Sequence, residues 1–158
     1  MEQNQILVNE EGLKKLIARI KELEEKLAQV SSGKAEAAET GGNMWHDNFA
    51  FEQIEREQRA LTKQLSDARD ALRRAVVISD QRQITDKIDI GSVVDLDING
   101  EHMTIRVGDY TEADPANNVV SYRSPLGDAI LHASIGETRE YGVGNRTFKV
   151  VIKGIRSS

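Results

Sequence analysis

The sequence predicts an α+β protein: a long antiparallel helical hairpin followed by a small β-rich domain. Three observations predict it. Apolar residues repeat at alternating three- and four-residue steps through the first half of the 158-residue chain. The period changes to two after Gly91. Gly-containing turn signals sit between the repeating segments.

The first helix is read from Leu13, Leu16, Ile20, Leu23, Leu27 and Val30, the narrow seam of a coiled coil. Ala37 continues this register and Lys34 interrupts it. Asn9 stands where an N-cap belongs, Glu10 and Glu11 suit the positive end of the helix dipole, and Gly41-Gly42 stops the run. The pattern resumes at Phe51, Ile54, Leu61, Leu65, Ala68, Leu72 and Ala75, with Gln58 as its one polar member. Two such helices joined by a short glycine-containing loop fold back antiparallel. About 30 residues at 1.5 Å each make an arm of about 45 Å. No proline occurs before Pro115 to kink it. Charged flanks (Lys21, Glu22, Glu24, Glu25, Lys26) leave too narrow an apolar stripe for an ordinary bundle.

The division expected from these patterns is a hairpin over 1–78 with an acidic tip at 41–48, a linker over 79–90, and a β-rich domain over 91–158. In that domain Val94, Leu96 and Ile98 alternate with Asp95 and Asp97. Asn99-Gly100 then turns the chain into Met103, Ile105 and Val107. A further strand is expected within 118–123, a short helix over 126–133 after Ser124-Pro125, and two last strands around Gly144-Asn145. Together they predict a twisted antiparallel sheet with one helix.

Composition narrows the function classes. Residues 1–76 hold 14 acids and 12 bases, and residues 77–158 hold 12 acids and 9 bases. Neither half has the clustered cations that nucleic acid requires as main ligand, so a protein partner fits better. The chain has no cysteine, which excludes disulfides and thiolate metal sites. No apolar run is long enough to cross a bilayer and no secretory signal is evident, so the cytoplasm is the expected location and no membrane partner is expected.

The tip carries the candidate chemistry. From Ala35 to Glu52 the acids Glu36, Glu39, Asp47 and Glu52 occur without Lys or Arg, alongside Met44, Trp45, Phe49 and Phe51. Acids gathered at a turn repel one another unless they meet a cation or a basic surface. Mg²⁺ takes oxygen ligands and keeps several waters, so one or two carboxylates suffice at a shared site. Asp47 has two readings, helix N-cap or metal support. Trp45 is either a partner contact or a cover for the end of the seam.

The order of these features resembles the GreA/GreB family of bacterial transcription elongation factors. The resemblance spans nearly the whole chain. It rests on the tip Gly42 to Asn48 (GNMWHDN), on Ser124-Pro125-Leu126-Gly127 with Ala129-Ile130-Leu131, and on Ile135-Gly136-Glu137. It implies an FKBP-like second domain and a partner, RNA polymerase, whose secondary channel the hairpin enters. It further implies stimulated cleavage of backtracked RNA by the polymerase, with indirect contact to nascent RNA, by a factor that is a monomer and is not itself an enzyme. Asp47 and Asn43 are then the cleavage-assisting tip residues, and Asp47 is a ligand to a Mg²⁺ shared with the polymerase and not bound by the factor alone. Met44, Trp45, His46, Asn48, Ser124 and Pro125 are partner-binding residues. The sequence departs from the family at the tip: cleavage factors carry an acid directly after the tip glycine and a Glu before the Asn, where this chain has Asn43 and, one residue further along, Asp47. That departure keeps a second reading open, a channel-binding regulator without cleavage activity. A third reading, a prolyl isomerase or chaperone, rests only on Tyr110, Tyr122, Tyr141 and Phe148.

Overall fold

The computed structural model describes the backbone of residues 4–40, 47–79 and 86–157, and the side chains of these except 35–40 and 47–48. Contacts divide the chain into two bodies: Met1–Gln5 with Leu13–Ala75, and Ile6–Gly12 with Val76–Ser158.

The first body is the predicted hairpin. Helix α1 runs Glu10–Thr40 and α2 runs Asp47–Arg74. The Asn9 side chain caps α1 by accepting from the Gly12 amide at 2.7 Å. Arg73 and Arg74 close α2 where the dipole favours cations. Leu16, Leu23, Leu61 and Leu65 are buried along the seam, and Ile20, Leu27, Val30 and Ala68 pack on Leu23, Leu61 and Leu65. Each fully buried leucine contributes roughly 2 kcal/mol. Among the described side chains, every predicted seam position from Leu13 to Ala75 is at least half-buried, while most flanking positions are exposed. Arg69 bridges to Glu24 across the helices at 2.6 Å and Arg19 reaches Gln64 at 3.2 Å. These exposed pairs add little beyond register.

The second body holds two sheets. A small one pairs β1 (Ile6–Val8) with β2 (Ala75–Val77). The hairpin expected over 1–78 is therefore shorter at its end: α2 stops at Arg74 and Ala75–Val77 is a strand. The larger sheet uses β3 (Ser92–Ile98), β4 (Glu101–Gly108), β5 (Val119–Ser121), β6 (Thr138–Val143) and β7 (Arg146–Ser157), in the order β5-β4-β3-β7-β6. The predicted turn at Asn99-Gly100 is present, with φ of 49° and 89°, the two positive values a type I′ hairpin needs. It sets Leu96 opposite Met103 and Ile98 opposite Glu101. The second hairpin turns at Gly144-Asn145 and sets Tyr141 opposite Phe148, whose rings stack 5.0 Å apart.

The expectation of a wholly antiparallel sheet is corrected at one edge: β5 runs parallel to β4, with Arg106 opposite Val119. The chain leaves β4 at Gly108, passes a 3-10 turn at Pro115–Asn117, and re-enters beside β4 in the same direction. A parallel partner requires such an excursion; a tight turn cannot supply one.

One core fills this body: Ile88, Ile90, Val94, Leu96, Ile105, Val107, Tyr122, Ile130, Ala133, Val150 and Ile152. Ile88 and Ile90 come from the segment read as linker, so its described end is core. Helix α3 (Pro125–Ile130) stops three residues before the predicted end, because Leu131 is extended and His132 is left-handed at φ 63°.

Candidate functional site

At the far end of the hairpin, α1 continues to Thr40 and α2 begins at Asp47. Of the predicted tip residues, Asn43, Met44, Trp45 and His46 lie outside the described residues. Asp47 and Asn48 open α2, and their side chains likewise lie outside. The two nearby phenylalanines separate clearly. Phe49 is 75% exposed, while Phe51 is half-buried beneath the Lys34 ammonium, 5.1 Å above its ring centre.

Behind the tip the two interruptions of the heptad pattern meet. Lys34 Nζ lies 3.4 Å from Glu55 Oε1 and 3.5 Å from Gln58 Oε1, and Gln58 Nε2 approaches Ser31 Oγ at 3.5 Å. The sequence reading treated Lys34 and Gln58 as separate breaks; the fold makes them a single polar layer.

Ser124 and Pro125 form the start of α3. Ser124 Oγ accepts from the Gly127 amide at 3.1 Å and donates to the Ser121 carbonyl at 2.7 Å. Pro125 occupies the first helical turn, where its missing N–H costs nothing. A Cβ on Gly127 would collide with the Ser121 carbonyl oxygen, so glycine lets the helix sit directly on β5. Pro125 is exposed, with Arg123 beside it and 6.0 Å from the Tyr110 ring.

A second cluster was not anticipated. Asp109 is fully buried. Its carboxylate accepts from the Asn9 amide at 2.8 Å, the Thr111 amide at 2.6 Å and the Thr111 hydroxyl at 2.8 Å. Glu112 accepts from the Asp109 amide at 2.9 Å and from Arg106 at 3.3 Å. Burial pushes the Glu112 carboxyl up, but the Asp109 amide, the Arg106 guanidinium and the Asn9 side chain outweigh it and hold the group below the usual glutamate range. Leu7 completes the clasp: its amide donates to the Tyr122 hydroxyl at 2.9 Å, and its carbonyl accepts from the Tyr110 amide at 3.2 Å. A Cβ at Gly12 would collide with Asp109 and Thr111. The residues Leu7 to Gly12 are thereby tied to the β4–β5 connection. The signal for this in the sequence is slight, an acid directly after an alternating strand.

The chain resembles known proteins along its whole length. The model "Transcription elongation factor, GreA/GreB, C-term" matches residues 83–157. Transcription elongation factor GreA of Thermosipho africanus is 30% identical over 160 residues, covering 99% of each chain. This chain belongs to the GreA/GreB family. The GreA of Mycoplasma capricolum is 28% identical over 155 residues, covering 96% of this chain and 98% of the relative. Among solved structures, the transcription factor Gfh1 superposes with a TM-score of 0.48 at 21% identity over 97% of this chain and 98% of the other. A GreA/GreB factor from Nitrosomonas europaea gives 0.40 at 14%, over 96% and 97%.

As a member of this family the chain is a transcription elongation factor, and the tip donors can be weighed against the metal the family resemblance implies. Asp47 offers a carboxylate and Asn43 an amide oxygen, both hard donors of the type Mg²⁺ accepts. Between Gly41 and Asn48 they include one acid only, which fits a metal shared with another protein's ligands. Among the described residues no three His, Asp or Glu side chains cluster to hold a metal. No described helix is long and apolar enough to cross a membrane.

The aromatic residues behind the isomerase reading are engaged in packing: Tyr122 belongs to the core, and Tyr141 packs against that core. Tyr122 is buried with its hydroxyl bonded to Leu7, and Phe148 stacks on Tyr141.

Proposed function

We propose that this Gre-type elongation factor binds RNA polymerase, inserts its hairpin through the secondary channel and stimulates cleavage of backtracked RNA, rescuing stalled complexes. The observation that carries the reading is the match to GreA over 99% of the chain, hairpin and C-terminal body together. The hairpin supports it by form: its seam stays packed from Leu16 to Val30 and is tied by Lys34 at the level of Glu55, so the tip is borne on paired helices.

In this reading the factor lends groups to the polymerase and performs no reaction alone. Asp47, at the start of α2, orients the attacking water and accepts its proton. Asn43 offers a neutral oxygen donor. Asp47 would help hold a Mg²⁺ shared with the polymerase, which would supply Lewis acidity for phosphodiester hydrolysis. Met44, Trp45, His46 and Asn48 contact the channel wall, while Ser124 and Pro125 dock the body at the channel mouth. The factor works as a cytoplasmic monomer and meets nascent RNA only inside the elongation complex.

One observation favours the alternative of channel binding without cleavage: Asn43 stands where cleavage factors of the family carry an acid. RNA length on backtracked polymerase separates the two. Shortened RNA that is lost with Asp47→Ala, by about tenfold or more in rate as for a group acting in the transition state, supports cleavage. Uncut RNA with slowed elongation supports the regulator.

A further inference from the structure

Among the described side chains, the seam of the hairpin is apolar except at one level. There Lys34, half-buried at 32% exposure, meets Glu55 at 34%, and Gln58 completes the layer. By packing alone, an apolar seam of leucine, isoleucine and alanine is nearly indifferent to a slip of one heptad; the β1–β2 pairing holds the base of the hairpin, and a polar layer acts further along it. A polar residue in such a seam costs stability and disfavours the registers that leave it unpartnered.

We infer that Lys34, Glu55 and Gln58 are positioning residues, a register pin that sets the heights at which α1 ends and α2 begins. Slipping Lys34 one heptad toward the base of the hairpin would seat its ammonium against Leu61 and Leu65, both buried and neither able to accept a hydrogen bond. The Phe51 ring under the ammonium and the Ser31 hydroxyl beside Gln58 add two more contacts that only the observed register provides. A one-heptad slip moves one helix by about 10 Å along the other. Catalytic groups tolerate displacements of only about 1 Å. The value of the pin to function rests on the reading of the hairpin as a carrier of the Asp47 tip; the pin itself is a property of the two helices.

The test uses the full chain, which has no cysteine of its own. Spin labels are placed at Lys21→Cys on α1 and Glu57→Cys on α2, both exposed positions. The parent protein is expected to give one narrow distance. The variant Lys34→Leu/Gln58→Leu is expected to melt at or above the parent temperature, yet to show a second population displaced by up to about 10 Å. Lys34→Arg, which keeps the cation, is expected to retain the single distance. A single narrow distance in the double-leucine variant overturns the pin, whatever its melting temperature. On backtracked polymerase the same variant is expected to lose at least tenfold in maximal cleavage rate, with the half-saturating factor concentration unchanged. Should the parent protein cleave nothing, the cleavage reading falls while the label distances still decide the pin.

Discussion

The hairpin and the C-terminal body achieve stability by opposite means. Along the hairpin only a handful of leucines are buried in a one-dimensional seam, and charged side chains cover the rest. The body gathers eleven buried residues from three strands (β3, β4 and β7), helix α3, the 88–90 segment and the turns at Tyr122 and Ala133 into one core. A seam is local and periodic; a core is assembled from distant pieces. The first leaves long exposed flanks among its described residues, and the second buries its apolar residues together.

Truncating matched leucines tests that contrast most strongly. Leu96→Ala, at a fully buried site, is expected to cost about 3 kcal/mol or more, whereas Leu27→Ala, half-buried in the seam, costs about 1 kcal/mol. Tyrosine absorbance follows the body, since Tyr110, Tyr122 and Tyr141 all lie in it, and helical circular dichroism follows the hairpin. Equal losses at both sites would break the contrast.

Next in size is the clasp. Asp109→Ala leaves the amides of Asn9 and Thr111 without their acceptor, at an expected cost of about 2 kcal/mol. Amide hydrogen exchange is expected to rise first at residues 7–12. Protection there equal to the parent's would show that the carboxylate is dispensable.

The smallest effect is in pH. The Glu112 carboxyl titrates below its usual 4.5 in the folded chain, so its contribution is fully present above that pH. It is lost as pH falls through the lower folded value. Glu112→Gln is expected to be less stable than the parent at neutral pH, with the difference shrinking on acidification below 4.5, as read by urea midpoints. A difference that stays constant across that range would remove Glu112 from the acid response.

The same contrast governs what could be read from sequence. The seam positions, the Asn9 cap, the Asn99-Gly100 turn and the start of α3 at Ser124-Pro125 are legible because each signal lies within a few residues of its effect. Strand β1 is three residues long and pairs with a strand about 70 residues away, so no local pattern announces it. Asp109 looks like any surface acid until the Asn9 amide closes on it. Ile88 and Ile90 sit in a polar stretch and become core only when distant residues reach them, as His132 and Ala133 do in pairing with the Ile88 backbone. The tip is legible in composition alone, through Asp47, Asn43 and Trp45, whose side chains lie outside the described residues.

Site-directed crosslinking tests the central claim most directly. A photoreactive residue in place of Trp45, the sole tryptophan, should crosslink within the active-centre region of RNA polymerase in backtracked complexes. A control probe at Met103, exposed on β4, should leave that region unlabelled. Crosslinks from position 45 confined to the outer surface of the polymerase, or none at all, would contradict delivery of the tip through the channel.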